Sequence, residues 1–247
     1  FDRNTWIWEE AQDDDNYLLV ADVARGDGAD SSTFHVFKLQ TMEIVAEYKG
    51  KPTSDLFSEI LYTTGVEYKE AMLVVENNNV GFSVLEKLLE KGYKNVYHSK
   101  KGSHQYVEQH AALGDSSVVP GFTTSLKTRP LIIAKFEEFI RNKVLTIYSK
   151  RLANELDTFI WKNGRPEAQR GYNDDLVMAA AIGCWVRDTA IIENQRDVEY
   201  KKAFLNSIST TRTNLDTRAP GQYKDSLRER FDEEQKIRKD FSWIFKG

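Results

Sequence analysis

The hydrophobic pattern divides the chain into strand-like and helix-like stretches that follow one another in a legible order. Tyr17–Val23 is an apolar run interrupted only by Asp22 and closed by Arg25-Gly26-Asp27-Gly28, which predicts a central strand entering a tight turn. Thr33–Leu39 and Glu43–Tyr48 alternate in the strand manner, so residues 17–49 predict a three-stranded antiparallel meander. Ser54-Asp55 opens a helical stretch with Leu56, Phe57, Ile60 and Leu61 on one face. Ala71–Val75 predicts another strand, ending on Glu76-Asn77-Asn78-Asn79. Gly81–Lys91 reads as an amphipathic helix with Phe82, Leu85, Leu88 and Leu89 inward, and Asn95–His98 as one more strand.

Residues 99–127 read as an irregular polar loop. Thr128 is placed to cap a helix that has Pro130 in its first turn and runs to about Asn142. Lys143–Tyr148 predicts a strand, Arg151–Thr158 a helix, and Phe159–Gln169 a hairpin turning at Asn163-Gly164. Asn173 then caps a strongly apolar helix from Leu176 to about Val186. Three strands followed by alternating helices and strands describe an α/β fold, a mixed sheet with helices on both faces. Residues 1–16 read as a linker or N-terminal extension, 17–192 as the domain, and the Arg-, Lys-, Asp- and Glu-rich residues 193–247 as a charged helical or partly disordered C-terminal segment. Phe1 and the Thr5-Trp6-Ile7-Trp8 run suggest a piece of a longer protein.

Composition narrows the class without naming a partner. A chain of 247 residues with 40% hydrophobic and 29% charged residues can bury a core, and no apolar run is long enough to span a bilayer. The single cysteine, Cys184, excludes an internal disulfide or a cysteine zinc cage and reads as a packing residue. A net charge of −4 argues neither for nor against nucleic acid, because phosphate contact needs a local basic face and not a basic total.

The candidate chemistry lies in carboxylates. Asp22 sits inside an apolar strand, Glu76 ends another, and Asp174-Asp175 opens a helix. A buried, unpaired carboxylate costs several kcal/mol, and a bound cation is a strong reason to keep one there. Three or four of them together would repel unless Mg²⁺ or Mn²⁺ were present, and two such ions can hydrolyse a phosphodiester. Each residue alone is ordinary: Asp-Asp at a helix start is capping and dipole chemistry, and Glu at a strand end is common.

The ordered set of motifs carries more than its parts. Asp22-Val-Ala-Arg-Gly-Asp-Gly-Ala-Asp30-Ser-Ser-Thr33, Val74-Val-Glu76-Asn-Asn and Gly171-Tyr-Asn-Asp174-Asp175-Leu-Val-Met-Ala resemble the nuclease domain of the large terminase subunits of tailed phages. Between them, Thr123-Thr-Ser-Leu-Lys-Thr-Arg-Pro-Leu-Ile-Ile, Arg151-Leu-Ala-Asn-Glu155-Leu and Phe159 match that family's run before its last acidic motif. The resemblance covers roughly residues 15–190 and looks closest to the T4-like phages. It implies an RNase H-like fold of the resolvase and integrase type, and metal-dependent cutting of concatemeric double-stranded viral DNA during packaging into the prohead. By motif position it makes Asp22 and Glu76 strand ligands for Mg²⁺ or Mn²⁺, with two ions expected, and Asp175 the helix ligand. Asp174 is a candidate fourth ligand, and Asp30 a turn-stabilising or outer residue.

The same resemblance implies an ATPase domain elsewhere in a full-length protein, a portal and a small terminase subunit as partners, and a place at the prohead portal in the host cytoplasm, not in the mature virion. Gly50-Lys51-Pro52-Thr53 lacks the spacing of a P-loop, so no ATP hydrolysis is expected of this chain. Lys100, Lys101, His104, Lys127, Arg129, Arg165 and Arg170 are the candidate DNA contacts, and the absence of a base-reading motif predicts little sequence preference. His35 reads as structural, and neither His98 nor His110 has a partner at ligand spacing. Two other readings compete: a junction resolvase or similar nuclease, and a non-catalytic module docking DNA or the portal.

Overall fold

The computed structural model describes residues 3–25, 28, 30–101, 106–107 and 117–188. The expected C-terminal segment, 193–247, lies outside the described residues, as do His104 and His110.

Strands β2 (Tyr17–Asp22), β3 (Ser32–Lys38) and β4 (Glu43–Gly50) form the predicted antiparallel meander. Strand β5 (Met72–Val75) pairs with the other edge of β2, in parallel. The parallel crossover from β4 is made by helix α1 (Ser54–Glu67), which Thr53 caps by accepting from the Leu56 N–H. Strand β1 (Thr5–Ile7), from the segment expected to be a linker, adds to β4, giving the order β1-β4-β3-β2-β5.

Beyond β5 the sheet continues without a regular strand. Leu73 exchanges backbone hydrogen bonds with Asn95 and Tyr97, and two residues on, Val75 and Asn77 exchange them with Phe122. One edge is thus shared by two separate chain segments. Between them lies a three-stranded sheet, β6 (His98–Lys100), β7 (Tyr106–Val107) and β8 (Val118–Pro120), in the order β7-β6-β8. The polar loop expected over 99–127 is therefore structured in part. The Asn95–His98 strand is correspondingly split between an isolated bridge at Val96 and the start of β6. The strand expected at Lys143–Tyr148 reduces to one bridge, Thr146 to Glu43, because β1 already occupies the rest of the β4 edge.

Both faces of the sheet are apolar, and alternate residues of β2 serve them in turn. Leu19 and Ala21 join Phe34, Val36, Leu73 and Val75 beneath α1 and helix α2 (Val80–Glu90). Leu18 and Val20 join Phe37, Ile44 and Val74 beneath helices α3 (Thr128–Arg141) and α5 (Asp175–Val186). Helix α4 (Lys150–Asp157) precedes the hairpin of β9 (Phe159–Lys162) and β10 (Arg165–Ala168), whose turn residues Asn163 and Gly164 have φ of 51° and 74° as the predicted tight turn requires.

Details of four helices differ from expectation. In α2 the inward residues are Gly81, Val84, Leu85 and Leu88, while Phe82 and Leu89 are exposed, as is Leu56 of α1. Thr128 is the first residue of α3 and not its cap, since its hydroxyl accepts from the Ser125 N–H. In α5 the residue before the helix is Asp174, and Asn173 donates to Asp175 and Asp30 instead of capping.

Candidate active site

Strand parity decides where the acidic residues point. Asp22 follows Leu18 and Val20 in the period of two, and Glu76 follows Val74, so both carboxylates face the side of the sheet covered by α5. The parallel register Leu19–Leu73, Val20–Val74, Ala21–Val75 sets Glu76 beside Asp22, and the Glu76 N–H donates to Ala21 O at 2.9 Å. The two carboxyl groups are close enough to act on each other directly. Burial holds the Asp22 carboxyl well above the usual carboxylate range, and Glu76, Asp175 and Asp174 push it the same way.

Glu76 is itself held. Asn78 Nδ2 donates to Glu76 Oε1 at 2.9 Å and to Thr124 O at 2.8 Å, while Asn77 bonds Pro120 O and the Thr123 hydroxyl. The two asparagines fasten the 120–124 segment to the acidic end of β5. Gly81 leaves room for this turn, because a Cβ there would strike the Glu76 carbonyl oxygen.

Asp174 and Asp175 diverge. Asp174 is ion-paired with Arg129 and accepts from the Ala168 N–H at 3.3 Å. Asp175 Oδ2 accepts from the Ser31 N–H at 2.8 Å and from Asn173 at 3.3 Å. Burial raises the Asp175 carboxyl pKa, partly offset by those two donors. Its backbone carbonyl accepts from the Thr33 hydroxyl at 3.0 Å, and His35 Nε2 lies 3.0 Å from Leu176 O. Among the described residues no three His, Cys, Asp or Glu side chains come within reach of one ion. Asp22 and Glu76 form the pair, and Asp175, anchored to β3, is a neighbour within electrostatic reach.

The expected cations separate into two kinds. Arg129 is committed to Asp174 and to Pro166 O, so it braces the site and is not free for phosphate. Lys100, Lys101, Lys127, Arg165 and Arg170 are exposed. Asp30 is exposed, accepts from Asn173 Nδ2 at 3.4 Å, and its charge raises the Asp175 carboxyl pKa.

Sequence reasoning passed over Asn78, Ser31, Thr33, Lys49 and Glu155. All but Lys49 lie within the quoted motifs, yet none is a carboxylate inside an apolar strand, so nothing local marked them. Ser31, Lys49, Glu155 and Asn173, with Arg151, Asn154, Thr158, Gly171 and Tyr172, line an open cleft of about 520 Å³ beside Asp175.

Comparison with solved structures bears on the fold. The chain is similar to the large terminase nuclease from the thermophilic phage G20c with bound magnesium, at 18% identity and a TM-score of 0.57, covering 74% of this chain and 88% of that one. It is also similar to the large terminase nuclease domain of Thermus phage P74-26, at 18% identity and a TM-score of 0.55, covering 72% and 83%. No family profile matches the chain. The protein thus has the RNase H-like fold of these terminase nuclease domains, and the expected mixed sheet flanked by helices is what is found.

Proposed function

We propose that this chain is a metal-dependent endonuclease that cuts concatemeric double-stranded viral DNA, with little sequence preference, during packaging into a prohead. The single observation that carries the reading is the Asp22–Glu76 pair, brought into contact by adjacent parallel strands on a fold similar to that of terminase nuclease domains. The G20c relative contains magnesium, and a divalent ion is what a repelling carboxylate pair of hard oxygen donors fits. The likeness to T4-like phages in particular rests on the sequence motifs alone.

Asp22 and Glu76 would hold the metal, with Asp175 as the third carboxylate. Mg²⁺ or Mn²⁺, two ions in the full site, would activate a water and stabilise the leaving oxygen of a phosphodiester. The chain's own groups do the rest. Asn78 fixes the Glu76 carboxylate, and the Ser31 N–H and Asn173 fix that of Asp175. Arg129 holds Asp174 aside. Exposed Lys127, Arg165 and Arg170, flanking the acidic residues along the chain, would take the DNA phosphates, with Lys100 and Lys101 on the inserted sheet. An ATPase domain of the same protein, a portal and a small terminase subunit belong to this reading as partners, in the host cytoplasm.

The test is nicking and linearisation of supercoiled plasmid in Mg²⁺ or Mn²⁺, beside Asp22→Asn, Glu76→Gln and Asp175→Asn. Cutting by wild type and none by the folded variants supports the assignment. An inert wild type, or variants that cut equally well, would leave the carboxylates structural and return the chain to a docking role.

A further inference from the structure

Helix α5 carries the third carboxylate on its first residue, yet it does not cap itself. The Asp174 side chain makes no bond to the helix N–H groups, being paired with Arg129. The orphan donors of Leu176 and Val177 are met instead by Glu155 Oε2, at 2.9 and 3.2 Å, from α4. Glu155 is buried, 6% exposed, and its other oxygen is ion-paired with Lys49 at the end of β4. A buried anion at a helix N-terminus, matched by one cation, satisfies the exposed amides and the helix dipole together.

We propose that Glu155, oriented by Lys49, is a positioning residue for Asp175: it sets the height and rotation of the first turn of α5, and so the place of the third carboxylate relative to Asp22 and Glu76. Thr33 on the Asp175 carbonyl and the Ser31 N–H on its carboxylate complete the setting from β3. Strand β4, strand β3 and α4 thereby hold one turn of helix from three sides. The inference rests on the acidic-site reading above.

The role predicts a metal phenotype and not only a loss of stability. Glu155→Ala removes both acceptors. Glu155→Gln keeps one acceptor but turns an amide N–H toward the Lys49 ammonium, so it folds with the setting loosened. Mn²⁺ binding is measured by calorimetry on the DNA-free chain, beside thermal unfolding and the Mn²⁺ dependence of plasmid cutting. Mn²⁺ affinity should fall about tenfold in Glu155→Ala, the lower end of what outer partners of metal ligands cost, and by a smaller factor in Glu155→Gln. Half-saturation for cutting should rise in parallel, with cutting recovered at high Mn²⁺.

If folded Glu155→Gln binds Mn²⁺ and responds to it as wild type does, Glu155 is a structural cap only and the inference is overturned, while the acidic site stands. The glutamine variant decides the matter should the alanine variant not fold. A wild type that neither binds Mn²⁺ nor cuts would overturn the nuclease reading, and the positioning role with it.

Discussion

Arg129 and Asp174 form an ion pair that spans from α3 to the start of α5 and gives one of two adjacent aspartates a cationic partner of its own. The neighbouring Asp175 accepts instead from the Ser31 N–H and from Asn173. Asp175→Asn should abolish plasmid cutting, whereas Asp174→Asn should cost about tenfold, the scale of an outer partner. Comparing the two variants under identical Mn²⁺ checks this, and equal loss in both would make Asp174 a ligand in its own right.

Burial and the neighbouring carboxylates disfavour the charged form of Asp22. Its folded pKa is raised, so its contribution to stability is fully present only below the usual carboxylate value of 3.8 and is lost as pH rises through the folded value. At neutral pH the metal-free protein therefore bears a cost that Asp22→Asn removes. The variant should melt higher than metal-free wild type, by about 2–4 °C for each kcal/mol relieved at this chain length. Mn²⁺ should raise the melting temperature of wild type and leave the variant nearly unmoved, which differential scanning calorimetry can read.

Gly81 lies against the carbonyl of Glu76 with no space for a methyl group. Because the obstacle is backbone, Gly81→Ala must shift either α2 or the end of β5. We expect destabilisation of roughly 1–3 kcal/mol. A larger fall in cutting rate, on the order of a hundredfold, should follow from the displaced carboxylate. Denaturant unfolding and single-turnover cutting together separate the two effects.

His35 is fully buried between Leu176 O, 3.0 Å from Nε2, and Glu47, 3.7 Å from Nδ1, with Arg151 bonded to that same Glu47. Burial outweighs the attraction of Glu47 and lowers its pKa from 6.5. The unfolded chain then binds a proton that the folded one refuses. The His35 contribution is full above pH 6.5 and is lost as pH falls toward the folded value. One proton limits the slope to about 1.4 kcal/mol per pH unit. Asp22, Asp175 and Glu155, with raised pKa values, act in the opposite direction. The quantity to measure is therefore the difference between wild type and His35→Asn, which should shrink below pH 6.5.

Much of the architecture was legible because it is written locally. The meander, β5, α1, the Asn163-Gly164 hairpin and the apolar α5 follow from periodicities of two and 3.6 and from turn chemistry, which short windows contain. The placement of Glu76 at a strand end was legible for the same reason, whereas Asp22, expected inside its strand, is the last residue of β2. An expected polar loop and an expected strand at 143–148 were misread, because whether a short segment pairs depends on which sheet edge is open to it. Phe82 and Leu89 fit an apolar stripe yet face outward, since the face a helix buries is chosen by its partner.

The sequence alone thus determined the central meander and the helices around it, the α/β class and the residue types of the candidate site. Tertiary structure alone decided that Asp22 meets Glu76, that Asp174 goes to Arg129, and that α5 is capped by Glu155, twenty-one residues before Leu176 in the chain. Hydrogen bonds and charges act over a few ångströms in space without regard to separation along the chain. Only the packed sheet and helices bring such partners within that range.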